Sequence, residues 1–148
     1  VYIFAVEMQI KEYQYDLKGL NEVAKDLIRF AENTKVWTFT GELGAGKTTL
    51  IKELATLLGS SDTISSPTYT IVNQYIHSKG NIFHIDAYRL KDEEEAFQAG
   101  IEEIIDSGDF VWIEWPQKIE NLLPEKILDI QITIHPQYRI LTAAIKEQ

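Results

Sequence analysis

Residues 38–54 read Thr38-Phe-Thr-Gly-Glu-Leu-Gly-Ala-Gly-Lys-Thr-Thr-Leu-Ile-Lys-Glu-Leu54. A β-branched and aromatic run, 35–40, leads in, and apolar residues at helical spacing lead out (Leu50, Ile51, Leu54, Leu57, Leu58). Between them, Gly41-Glu42-Leu43-Gly44-Ala45-Gly46-Lys47-Thr48 fits G-x-x-x-x-G-K-[ST]. At average residue usage that pattern arises by chance in about one window in 30,000. A strand before it and a helix after it are what a phosphate loop needs. Glycines admit positive φ and let backbone N–H groups close around an anion. The helix turns its positive end to the same point. Lys47 is expected to reach the outer phosphates, Thr48 to offer a hydroxyl to Mg²⁺, and Thr49 to bond the inner phosphate.

Two acids each close an apolar strand: Asp86 ends "NIFHID" and Glu114 ends "DFVWIE". In a parallel α/β sheet the carboxyl ends of the strands face the ligand crevice. Both acids are therefore expected at the loop, one on magnesium and the other on the attacking water. The sequence leaves open which does which. In "SSPTYT", 65–70, Thr68 is a candidate sensor of the γ-phosphate. His84 lies on the same strand face as Asp86 and reads as a core or supporting histidine rather than a catalyst. Arg89 and Arg139 are each open between a phosphate contact and a salt bridge; Arg139 is counted with the nucleotide-binding candidates. Trp115 is open between packing beside the nucleotide and facing a partner.

The rest of the chain reads as one α/β domain over 1–148. Central strands are expected to be parallel, with antiparallel additions and helices on both faces. Strands are expected over 9–15, 68–77, 81–86, 109–115 and from Leu128 to Ile134, the last pairing with 138–146 through a turn at Pro136. Helices are expected over 18–32 and, broken at Gly100, over 92–106. The seven residues before Met8 read either as a segment ahead of the biological start or as an edge strand.

Composition narrows the classes. The 148 residues include no cysteine, which excludes disulfides and cysteine-ligated metals. No apolar run is long enough to span a bilayer, so a cytoplasmic protein is expected. Net charge is −9 with three arginines, Arg29, Arg89 and Arg139, a poor endowment for gripping nucleic acid alone. A small-molecule kinase needs more arginine to clamp two charged substrates. A Ras-like GTPase needs a guanine-reading N-K-x-D segment, which is absent. A nucleotide-gated adaptor with incidental hydrolysis remains as a rival reading.

"GELGAGKTTL", "SPTYTIVNQY", "HIDAYRL" and "IEW" follow one another in that order. The set resembles the TsaE (YjeE) family, small bacterial P-loop ATPases of tRNA threonylcarbamoyladenosine synthesis, over about residues 8–146. The resemblance implies a P-loop fold, weak Mg²⁺-dependent ATPase activity and a partnership with TsaD and TsaB. Those partners transfer the threonylcarbamoyl group to an adenosine beside the anticodon, and the ATPase supports their repeated turnover. Carried over, Lys47 and Thr48 match the Walker lysine and magnesium threonine, and Asp86 the acid of H-x-D-x-Y-R. Glu114 and Trp115 match the Glu-Trp pair, and Thr68 the threonine of the Ser-Pro-Thr loop. Glu42 stands where the family often has aspartate, and the first seven residues have no counterpart.

Overall fold

The computed structural model describes residues 1–7, 9–42, 44–62 and 71–147, so Leu43 and Thr68 lie outside the described residues. Eight strands form one sheet: β1 (Tyr2–Glu7), β2 (Ile10–Tyr15), β3 (Val36–Gly41), β4 (Val72–His77), β5 (Gly80–Asp86), β6 (Phe110–Glu114), β7 (Lys126–Ile134) and β8 (Arg139–Glu147). Their order is β1-β2-β8-β7-β3-β6-β5-β4. The four central strands, β7-β3-β6-β5, run parallel. Antiparallel pairs extend the sheet on both sides. The segment before Met8 pairs with β2 as the edge strand.

Side chains alternate across a strand, so residues two apart share a face. Trp37 and Phe39 of β3, Phe110 and Trp112 of β6, and Leu128 and Ile130 of β7 point to one face. The helices α1 (Leu20–Ala31) and α2 (Lys47–Leu57) cover it with Val23, Leu27, Leu50, Ile51 and Leu54. Val111 and Ile113 point the other way and meet Ile101 and Ile105 of α4 (Ile101–Ile105) and Ala96 of α3 (Glu93–Gln98). Helices therefore cover both faces, and the apolar runs of β3 and β6 are buried on each side, as central parallel strands require.

Local chemistry sets the ends of these elements. Asp92 accepts from the Glu95 N–H at 2.9 Å and starts α3, the role its acidic run suggests. Gly100, at φ 75°, separates α3 from α4. The helix α2 ends in a Schellman turn: Ser60 N–H bonds the Ala55 carbonyl at 2.9 Å and Gly59 N–H that of Thr56 at 3.0 Å. The strand expected over 109–115 stops at Glu114, because Trp115 turns into the left-handed region at φ 58° and ψ 57°.

Candidate functional site

The C-terminal ends of β3, β5, β6 and β7 lie at one end of the sheet, and the glycine loop leaves β3 there. Each glycine has its own reason. A Cβ on Gly41 would meet the Ile132 carbonyl oxygen at 2.9 Å and the Ala45 Cβ at 3.2 Å, so close packing on β7 excludes any side chain. Gly44 and Gly46 have open space around them but sit at φ 82° and 98°. Ala45 N–H bonds the Glu42 carbonyl at 3.0 Å, closing the loop, and Leu50 N–H bonds that of Gly46 at 2.9 Å, starting α2. The helix α2 thus opens directly from the loop, and a helix N-terminus directs its positive end at what lies before it.

Lys47 is in that first turn and is buried. Its ammonium donates to the Gly41 carbonyl at 2.7 Å and lies 4.4 Å from the centroid of the Trp115 ring. Burial lowers its pKa, while the negative charges of Glu114 and Asp86 oppose that shift. Both expected acids are thus within electrostatic reach of the Walker lysine. They are also neighbours in register, Asp86 of β5 opposite Glu114 of β6. Their settings differ. Glu114 is 5% exposed, and its Oε2 accepts from His84 Nε2 at 2.6 Å. Asp86 is half-buried, and its Oδ1 accepts from the Tyr88 N–H at 3.1 Å, capping the short turn Ala87–Arg89.

Oxygen donors suit magnesium, which commonly takes one or two carboxylates with phosphate oxygens and water. The Thr48 hydroxyl, Asp86 and Glu114 form such a donor set. Among the described residues no cluster of three or more His, Asp or Glu side chains makes a protein-only metal cage. Oxygen donors of this kind, brought by the start of α2 and the ends of β5 and β6, fit magnesium.

Beside the loop runs a groove of about 350 Å³, walled by Gly44, Ala45, Gly46 and Thr49 on one side. Tyr15, Asp16, Leu17 and Leu20 and the β7–β8 turn, Pro136 to Arg139, complete it. Arg139 is here, but it makes no salt bridge among the described residues; its guanidinium leans on the carbonyls of His135 and Tyr138 at 3.5 and 3.4 Å. Arg89 is exposed at the end of the turn that follows β5. Sequence reasoning missed Tyr15, Leu17 and Tyr138. The signal lay in pairing: β2 adds to β8 with Tyr15 opposite Arg139, which carries the N-terminal segment to the loop. A larger open depression of about 870 Å³, lined by Lys11, Asp26, Arg29 and Lys126, lies away from the loop, where β7 begins, and holds none of these groups.

Trp115 completes the mouth. It is a non-glycine residue in left-handed backbone, an arrangement that costs about 1–3 kcal/mol and concentrates at functional positions. That turn carries the ring from the end of β6 to Lys47, with its centroid 5.2 Å from that of the Tyr88 ring. The structure thus brings Gly41, Glu42, Gly44, Ala45, Gly46, Lys47, Thr48, Thr49, Asp86, Glu114 and Trp115 to one end of the sheet. No helix among the described residues is long and apolar enough to cross a membrane.

Residues 15–141 match the family model described as "Threonylcarbamoyl adenosine biosynthesis protein TsaE". The TsaE protein of Bacillus subtilis is 38% identical over 124 residues, covering 84% of this chain and 77% of that protein. That of Rickettsia prowazekii is 34% identical over 122 residues, covering 80% of this chain and 84% of the relative. A crystal structure of Bacillus subtilis YdiB superposes with a TM-score of 0.64 and 28% identity, covering 98% of this chain and 88% of that one.

Proposed function

The chain belongs to the TsaE family, and on that footing we propose that it binds ATP with Mg²⁺, hydrolyses it slowly, and so supports tRNA threonylcarbamoyladenosine synthesis by TsaD- and TsaB-like partners. The observation that carries the reading is the convergence of one buried lysine and two carboxylates on the mouth of a glycine loop. The loop's N–H groups and Lys47 hold the phosphates. The groove beside Thr49 is the space left for the nucleoside.

In this reading Thr48 and one of the two acids would hold a magnesium ion, which would supply Lewis-acid stabilisation of the charge on the phosphates. Glu114 is the better placed to act on water, because it is buried and its carboxylate is pinned from below. It orients a water or takes its proton as the water oxygen attacks the γ-phosphorus. The bond to the bridging oxygen breaks, and ADP leaves with that electron pair. Lys47 meets the charge gathering on the transferred group.

The adaptor reading, in which bound nucleotide matters and hydrolysis is incidental, draws on Tyr88. It is 61% exposed and packs on Trp115 at the rim, an apolar surface that a partner would cover. Comparing modification by the assembled complex with ATP and with a non-hydrolysable analogue separates the two. Repeated turnover with ATP alone supports the ATPase; equal turnover with both supports the adaptor. Lys47→Ala tests what both share. Loss of a charge-assisted bond to phosphate should weaken ATP binding by about 10- to 100-fold. Parental binding and hydrolysis by that variant would end the phosphate-loop reading.

A further inference from the structure

Beneath Glu114 a line of polar side chains crosses three strands. Carboxylates only accept hydrogen bonds, so the 2.6 Å contact from His84 Nε2 to Glu114 Oε2 requires the hydrogen on Nε2. In the neutral ring Nδ1 then offers a lone pair, and the Tyr75 hydroxyl lies 3.3 Å from it, placed to donate. That hydroxyl accepts in turn from Asn73 Nδ2 at 3.4 Å. Donor follows donor from β4 through β5 to β6, with one consistent direction. His84 is fully buried and Tyr75 and Glu114 are each 5% exposed, so water does not compete for the contacts of His84; Asn73, at the far end, is half-buried.

The strand pattern explains how these side chains meet. His84 and Asp86 are two apart on β5, and Glu114 stands opposite Asp86 on β6, so all three share the face covered by α2. On β4, Asn73 pairs with His84 in register, and Tyr75 lies two residues on along the same face. His84 therefore reaches Glu114 from within the core, while the charge of Glu114 acts on Lys47 at the loop. One carboxylate oxygen is occupied by the histidine, which leaves Oε1 for the crevice.

We infer that His84, oriented by Tyr75, is a positioning residue for ATP hydrolysis: its Nε2–H fixes the Glu114 carboxylate so that Oε1 faces the water that attacks the γ-phosphate. The inference rests on the reading of Glu114 as the acid of hydrolysis. His84 touches neither nucleotide nor water, so its loss should change the rate of the chemical step and leave ATP binding nearly intact.

The test uses two substitutions that differ in one atom's position. In His84→Gln the side-chain amide nitrogen reaches the place of Nε2 and can still donate to Glu114. In His84→Asn the amide reaches only the place of Nδ1. Single-turnover hydrolysis is measured per nucleotide-binding site, counted by titration, so that misfolded protein does not enter the rate. His84→Asn is expected to lose about 10- to 100-fold in the single-turnover rate constant, the usual effect of removing a supporting partner, with the Kd for ATP from the titration little changed. His84→Gln is expected to stay within about threefold of the parent. Tyr75→Phe, which keeps the ring, should fall between them. A merely structural histidine would make both substitutions lose alike, or neither; either result overturns the inference. Glu114→Gln is run beside them. If it hydrolyses at the parental rate, the reading of Glu114 fails and the inference falls with it. If it is slow while His84→Asn is unaffected, only the inference fails.

Discussion

The Lys47 ammonium lies 4.4 Å from the Trp115 ring centroid, over its face, while bonded to the Gly41 carbonyl. The same lysine is expected to turn to the phosphates when nucleotide arrives. Its departure removes a cation from an indole, and that changes the indole's emission. Trp37 and Trp112 are fully buried in the core and should contribute a constant background. Adding ADP or ATP with Mg²⁺ should therefore change the fluorescence, and Trp115→Phe should abolish most of that change. A response that survives in Trp115→Phe would mean that the core, rather than the mouth, reports the ligand.

Far from the mouth, Asp26 of α1 accepts from the Tyr13 hydroxyl at 2.6 Å and from Lys11 Nζ at 3.1 Å, with Arg29 at 3.6 Å. Burial pushes its carboxyl pKa up, but the bonds from Tyr13 and Lys11 and the charges of Lys11 and Arg29 outweigh it, so the net shift is downward. A carboxyl depressed in the folded state stabilises it fully above the unfolded pKa of about 3.9 and loses that stabilisation as pH falls through the folded pKa. Asp26→Asn should thus cost about 1–2 kcal/mol at pH 7, about 2–8 °C in Tm. The difference between parent and variant should shrink progressively below about pH 4. A difference that stays constant from pH 7 to pH 3 would contradict this.

Much of this was legible because the decisive signals are local. The glycine loop announces itself by residue type and spacing, and Asp86 and Glu114 by closing apolar runs. The helix break at Gly100 follows from a residue that tolerates positive φ. The groove was not legible, since Tyr15 and Tyr138 are brought together only by the pairing of β2 with β8. Nor was the orientation of Trp115, which depends on a backbone conformation that sequence rules disfavour for any residue but glycine, asparagine or aspartate. His84 was legible as a supporting side chain, but its partner Tyr75 lies across an antiparallel pair and carries no motif of its own. Arg139 was open between a phosphate contact and a salt bridge; it lines the groove beside the loop, with its guanidinium against the carbonyls of His135 and Tyr138.

Charge predicts weak binding of tRNA by the protein alone. Net charge is −9, and several of the cations are already engaged: Lys11 and Arg29 with Asp26, and Lys146 with Asp129 at 2.9 Å. A titration at physiological salt should show only non-specific affinity, with a Kd of about 10⁻⁵ M or weaker. Tight, strongly salt-dependent binding by the isolated chain would show that it contributes to holding the RNA.

Glu114→Gln tests the central claim most directly. The amide keeps the shape of the side chain and can still accept from His84, but it cannot take a proton or hold a negative charge beside the triphosphate. Removing that charge should leave ATP binding unchanged or tighter. Losing a positioned base typically costs a factor of about 10² to 10⁴, so a fall in hydrolysis of at least about tenfold is a conservative expectation. Nucleotide binding and phosphate release are measured on the same sample. Retained binding with hydrolysis reduced at least about tenfold is the predicted result; hydrolysis at the parental rate would remove Glu114 from the mechanism and leave Asp86 as the candidate acid.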